Sequence, residues 1–307
     1  MRFFLSVFAI SYLYFFNFIK FNMFDGLIEG TLASLISDAV KEDDVTEIRL
    51  RAGRRIVVET LSNRFFLKTN GRDYILNQAE IDNVLAKASN YSWYAIGDEM
   101  KHGYVPFGKY RIGIAGEGVM ENGAMLNVKN VSSLVLRVPH QVKNAADEII
   151  KDVLSGPKST LIIASPGAGK TTMLRELARL ASVKYNVVII DERYEISSFS
   201  AGKSGLDIGD ADVVVGIPKA VAYENCVRAL SPEIIVTDEI FRREEVDAVC
   251  DIARSGVKVF ASLHGNDIDV VKRDENFKKL FEVFEFAVLL SKQKRAGTIV
   301  ETRRING

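Results

Sequence analysis

The chain has 307 residues, 48% apolar and 26% charged, so it carries enough material for about two folded domains and is not a disordered polymer. Its 40 basic and 40 acidic residues cancel, which argues against a protein whose main task is coating nucleic acid, while leaving room for a local basic patch. Cys226 and Cys250, with His102, His140 and His264, form neither a disulfide framework nor a zinc-binding spacing, and the chain is expected to be intracellular.

The stretch from Phe3 to Phe24 is almost wholly apolar, and Lys20 is its only charge. About 20 such residues suffice to span a bilayer. Residues 1–24 are therefore read either as a membrane anchor or as sequence upstream of a true start at Met23. An export signal fits less well, since no small-residue cleavage site follows.

Residues 25–142 read as a smaller α+β domain. An amphipathic helix is expected from Leu27 to Val40. Glu47 to Glu59 reads as two strands around Ala52-Gly53, with Arg51, Arg54 and Arg55 at the turn. Asn63 to Thr69 is expected to be another strand. Gln78 to Ser89 suits a helix with Ile81, Val84 and Leu85 on one face. Gly103 to Arg137 alternates in the manner of a sheet.

Residues 143–307 have a different texture. A connecting helix is expected over Asn144–Leu154, capped by Asn144, with Asp147 and Glu148 near its positive end and Gly156 at its exit. Short continuous apolar runs then alternate with helical segments: 160–164, 186–190, 233–237, 257–262 and 286–290. Runs without polar alternation indicate strands covered on both faces, as in the parallel sheet of an α/β domain.

The first run leads into Ser165-Pro166-Gly167-Ala168-Gly169-Lys170-Thr171-Thr172 and then a helix with Leu174, Leu177, Ala178 and Ala181 on one stripe. Strand, glycine loop, Lys-Thr and helix form the P-loop arrangement, although Ala164 stands where the first glycine is usual. Backbone amides would cradle the phosphates of ATP, Lys170 would set an ammonium on the β and γ oxygens, and the Thr171 hydroxyl would serve Mg²⁺. The run 233–237 ends in Asp238 and Glu239. Asp238 is expected to serve the metal and Glu239 to polarise the attacking water. Asp191-Glu192 ends the run before it, so Glu192 is a candidate second carboxylate in the same crevice. His264 follows another strand and is a candidate sensor of the γ-phosphate, with Gly265 permitting the turn. No guanine-reading Asn-Lys-x-Asp pattern occurs, which favours ATP.

These stretches, SPGAGKTT, IIDERYEI, PEIIVTDEI and ASLHGND, resemble in order the P-loop, acidic box, Walker B strand and histidine box of the type II and type IV secretion ATPases. The chain more closely resembles the stage III sporulation AA family of endospore-forming bacteria. That likeness is carried by EIRLRAGRR, YAIGDEMKHGYV, KYRIGIAGEGV, VSSLVLRV, DERYEI, GIPKA and ALSPEIIVTDEI, and it runs from about residue 25 to the C-terminus. Ala168, Thr237 and the looser GDADVVVGIPKA depart from the expected wording. The resemblance implies a RecA-like P-loop ATPase domain with a mainly parallel sheet. It also implies a mother-cell ATPase that powers or assembles a membrane channel to the developing spore.

A motor of this kind usually holds nucleotide between subunits, so the resemblance further implies a homo-oligomer, expected to be a hexamer. Arg111, Arg137 and Arg228 are candidate arginine fingers. The Arg51, Arg54 and Arg55 cluster is a candidate contact for a partner or anionic lipid. The expected partners are membrane proteins of a secretion-like complex rather than nucleic acid. The expected location is the cytoplasm, peripheral to a membrane, with the N-terminal anchor as the alternative. A second reading is a nucleotide-switched scaffold that needs little hydrolysis, and a third is a nucleic-acid-stimulated P-loop ATPase, against which the zero net charge weighs.

Overall fold

A computed structural model describes residues 22–91, 103–121, 123–200 and 202–305. The expected apolar segment, apart from Asn22–Phe24, and most of YAIGDEMKHGYV lie outside the described residues. Among those described, no helix is long and apolar enough to cross a membrane. Contacts divide the chain into two compact units, after His140.

The first unit begins with the short pair β1 (Asn22–Met23) and β2 (Ile28–Glu29), followed by α1 (Gly30–Ala39) and a 3₁₀ turn at Glu42–Asp44. Met23 and Phe24, counted with the apolar segment in the sequence, are core residues here, and Phe24 stacks edge-on against Tyr110. The helix expected from Leu27 starts three residues later. Phe24, Asp25 and Gly26 all take positive φ, and the Leu27 amide closes a turn onto the Phe24 carbonyl.

Next come β3 (Val45–Arg51), β4 (Val57–Thr60), β5 (Arg64–Phe66), β6 (Lys68–Thr69), β7 (Arg72–Asp73), α2 (Gln78–Ala88), β8 (Tyr104–Phe107), β9 (Tyr110–Glu121) and β10 (Ala124–Arg137). The strand expected over 63–69 is broken at Leu67, whose side chain turns into the core while its amide reaches the Ile56 carbonyl. Helix α2 starts at a capping box. The Asn77 side chain accepts from the Glu80 amide, and the Glu80 carboxylate accepts from the Asn77 amide. Among the described residues the main sheet is antiparallel, in the order β5-β4-β3-β10-β9-β8.

The second unit contains α3 (Ile150–Leu154), β11 (Thr160–Ala164), α4 (Lys170–Ala181), β12 (Val187–Asp191), β13 (Asp212–Val215), α5 (Lys219–Leu230) and β14 (Ile234–Glu239). These are followed by α6 (Arg243–Arg254), β15 (Lys258–His264), α7 (Ile268–Arg273), α8 (Leu280–Val283), β16 (Phe286–Ser291) and β17 (Thr298–Arg304). The connecting helix expected from Asn144 is only α3. Asn144 has φ 64° and its amide donates to Glu176 Oε1, so residues 144–149 run as turns instead.

The sheet order is β13-β12-β14-β15-β11-β16-β17, parallel except for the edge pair β16–β17. Strand β11 shows why the apolar runs do not alternate. Leu161 and Ile163 face one core with Ala222, Val249 and Phe281; Ile162 and Ala164 face another with Met173, Leu174 and Ala178. Both faces are covered by helices, so all five residues of β11 are buried. The carboxyl ends of β11, β12, β14 and β15 therefore reach one edge, bearing Ala164, Asp191, Glu239 and His264.

Candidate nucleotide site

At that edge β11 ends in Ala164, whose methyl group packs in the core and whose carbonyl accepts from Lys170 Nζ at 3.0 Å. The loop then turns through Gly167 at φ 72° and Gly169 at φ 95°, and Gly169 is the N-cap of α4. A left-handed cap with no side-chain acceptor, followed by a first turn without acids, leaves the amides at the start of α4 for an anion. Ser165, Thr171 and Thr172 are half-buried, while Pro166 and Gly167 are exposed. Ala168, a departure in wording, is buried and fills the core beneath the loop.

Lys170 is buried, and burial holds its ammonium below the usual lysine range while Glu239 and Glu195 act in the opposite sense. Its Nζ lies 3.9 Å from Glu239 Oε1, and the Glu239 side chain is 42% exposed. P-loop cation and candidate water-polarising carboxylate thus face one another.

Asp238 is buried, and burial pushes its carboxyl up to about 6 although the Lys219 charge pulls it down. Lys219 Nζ is in ion-pair contact with Oδ1, while Oδ2 meets no hydrogen-bond donor. A buried carboxylate at the end of a strand, with Oδ2 unpartnered, fits a hydrated divalent cation. Thr171, the candidate hydroxyl ligand, is the second residue of α4.

Asp191 and Glu192 differ in environment. Asp191 is fully buried, and its carboxylate accepts from the amides of Glu195, Ile196 and Ser197 and from the Ser197 hydroxyl. It organises the loop after β12. Glu192 is half-buried and accepts weakly from the Lys219 amide at 3.4 Å. His264 is exposed at the end of β15, in register with Ala164 of the adjacent P-loop strand. Gly265 serves packing rather than the expected turn. A Cβ there would lie 2.5 Å from Val271 Cγ2 and 3.0 Å from Ile163 Cγ2.

Two features of the edge were missed in the sequence. Lys219, in the GIPKA stretch, enters the acid cluster from the start of α5. The loop between β16 and β17 also closes against the P-loop. The Gly297 amide donates to the Ala168 carbonyl at 2.9 Å, and Lys292 Nζ donates to the Pro166 carbonyl at 3.1 Å. The signal for Lys219 was a lone cation within an otherwise apolar and small-residue stretch. Thr237, another departure, gives the buried Tyr223 hydroxyl an acceptor at 3.1 Å.

The candidate arginines separate. Arg111 and Arg137 are direct cross-strand neighbours on β9 and β10 and line a concavity of about 300 Å³ with Arg49 and Tyr104 in the first unit. Arg111 stacks on the Tyr104 ring at 3.9 Å, and Arg137 Nε lies 3.5 Å from Glu47 Oε2. Arg228 lies in the last turn of α5, paired with Glu224 at 2.6 Å. At the β3–β4 turn, Arg55 lies 3.4 Å from Asp73 and stacks on the Phe66 ring at 3.8 Å.

The sequence profile described as sporulation stage III, protein AA matches residues 23–305. The chain belongs to that family. Stage III sporulation protein AA of Bacillus subtilis (strain 168) is 33% identical over 267 residues, 83% of this chain and 85% of that one. Among solved structures, the pilus retraction motor PilT with bound ADP superposes with a TM-score of 0.57 at 17% identity, covering 81% of this chain and 74% of that one. The ATPase DotB of Legionella pneumophila gives 0.52 at 16% identity, covering 80% and 72%. This member of the sporulation family therefore shares its fold, a mainly parallel sheet with a P-loop, with PilT and DotB.

Proposed function

We propose that this chain is a Mg²⁺-dependent ATPase that powers or assembles a membrane channel complex between mother cell and developing spore. It works as a homo-oligomer, expected to be a hexamer, held at the membrane by a protein partner. The observation that carries this reading is the meeting of Lys170, Glu239 and the under-satisfied Asp238 at the mouth of one P-loop. Family membership supports the sporulation setting, and the shared fold with the pilus retraction motor PilT and the ATPase DotB supports mechanical use of ATP.

In this reading residues 165–172 bind the triphosphate. Lys170 leaves the Ala164 carbonyl and Glu239 for the β and γ oxygens, which frees Glu239 to orient and polarise the attacking water. Asp238 and Thr171 would hold Mg²⁺, which supplies neutralisation of phosphate charge when bound. Glu192 is the supporting carboxylate, and His264 reports the γ-phosphate through a ring N–H. Arg111 and Arg137 supply charge from a neighbouring copy, and Arg228, on α5, is the third candidate.

The test is phosphate release and nucleotide binding by the purified chain. Lys170→Ala is expected to lose binding. Glu239→Gln is expected to bind ATP and turn over roughly 10²–10⁴-fold more slowly, the scale of a lost general base. Undiminished turnover in the double variant would reject the site. If Glu239→Gln still supports sporulation while Lys170→Ala does not, ATP acts by holding an assembly together rather than by driving it.

A further inference from the structure

Lys219 is the first residue of α5 and its side chain is only 5% exposed. Lysine is rarely buried to that degree without a partner. Its Nζ contacts Asp238 Oδ1 and donates to the Glu239 carbonyl at 2.5 Å, while its backbone amide reaches toward Glu192 Oε2 at 3.4 Å. One residue thus contacts the Asp238 carboxylate, the Glu239 backbone carbonyl and, through its amide, the Glu192 carboxylate. The approach to α5 is itself constrained. A Cβ at Gly216, which has φ 67°, would lie 2.7 Å from the Tyr194 hydroxyl, so the turn leading to Lys219 is packed against the loop after β12.

We propose that Lys219 is the resident counter-ion of Asp238, matching in the nucleotide-free chain the carboxylate that Mg²⁺ uses when it arrives on ATP. The inference rests on the assignment of Asp238 to the metal. A free divalent cation meets a carboxylate already matched by an ammonium in contact, and must compete with it in a site of low dielectric. A metal carried by a triphosphate brings its own ligands and negative charge, and the P-loop holds it in position. The site therefore declines free metal and admits the metal–nucleotide complex. Lys219 acts through Asp238 and the Glu239 backbone, and is a positioning residue.

The experiment uses the full chain without nucleotide and compares wild type, Lys219→Met, Lys219→Arg and the double variant Lys219→Met/Asp238→Asn. Mn²⁺ binding is read by electron paramagnetic resonance, and melting is followed in EDTA and in Mg²⁺. Wild type and Lys219→Arg are expected to bind free Mn²⁺ weakly and to melt alike in both buffers. Lys219→Met is expected to bind free Mn²⁺ at least about tenfold more tightly, because a unit charge beside the metal has been removed. It should also melt several degrees lower in EDTA and recover in Mg²⁺. The double variant, with neither charge, should fold, melt near wild type and lose the gain in Mn²⁺ affinity.

An unchanged Mn²⁺ affinity in Lys219→Met, or a lowered melting point that metal does not restore, would overturn the proposal and leave a structural ion pair. If Lys219→Met does not fold, the double variant decides, and its failure to fold as well would overturn the charge account. Mg-ATP binding by the wild type is measured alongside. Its absence would remove the proposed function, whereas the nucleotide-free Mn²⁺ comparison reads the Lys219 charge separately.

Discussion

At the end of β12 the carboxylate of Asp191 accepts from the Ser197 hydroxyl at 2.7 Å and from three consecutive backbone amides, those of Glu195, Ile196 and Ser197. Its neighbour Glu192 has one long contact, with the Lys219 amide. Asp191→Ala would leave buried donors unsatisfied and is expected to cost about 3 kcal/mol, read as a shift in the urea midpoint. Glu192→Ala, half-buried and weakly bonded, is expected to stay within about 0.5 kcal/mol of wild type while slowing turnover. Equal losses of stability from the two changes would sink this division of labour. Both acids were expected at the crevice, because they follow an apolar run. Which of them turns inward depends on the path of residues 195–197, and no local spacing encodes that path. The partners of Lys219 were illegible for the same reason: they lie 19 and 20 positions away in sequence, and only the packing of the start of α5 against the end of β14 brings them together.

Among the elements, those buried on both faces were read from sequence with the least error. The runs at 160–164 and 286–290 became β11 and β16 nearly residue for residue, since continuous apolar sequence has few other uses at that length. The edges were missed. Strand β13 is half-exposed, and β17 (TIVETRR) is an antiparallel margin whose charged residues pair locally, so neither carries an uninterrupted apolar signal. That margin matters, because the loop entering β17 presses on the P-loop. A Cβ at Gly169 would lie 2.9 Å from the Gly297 amide nitrogen, and Gly169 also has φ 95°. Gly169→Ala therefore combines a left-handed backbone penalty of about 1–2 kcal/mol with displacement of the β16–β17 loop. Nucleotide affinity is expected to fall by at least about tenfold, the equivalent of ~1.4 kcal/mol, while the far-ultraviolet circular dichroism keeps its α/β form. Calorimetric titration measures the first. Unaltered affinity would mean that the loop gives way freely.

At the scale of the whole molecule, the candidate fingers Arg111 and Arg137 belong to one compact unit and the P-loop, with Arg228, to the other. Arg111 and Arg137 stand opposite one another across β9 and β10, with Arg49 beside them and Glu47 in ion-pair contact with both Arg49 and Arg137. Two like charges directly across a strand pair repel, so the pair needs neighbouring groups to hold it together. The Tyr104 ring under Arg111 and the Glu47 carboxylate beside Arg137 hold the pair in defined positions, as anion recognition by planar guanidinium groups requires. If that charge serves the phosphates of another copy, inactive chains should complement each other. Lys170→Ala lacks a working P-loop but keeps its arginines, and Arg111→Ala/Arg137→Ala has the reverse defect. Each alone should release little phosphate. Mixed in equal amounts and allowed to reassemble, they should recover about a quarter of the wild-type rate, the fraction of random interfaces that join an intact lysine to intact arginines in a closed ring. A site completed within one chain predicts no recovery at any mixing ratio, and phosphate release across a titration of the two variants separates the cases.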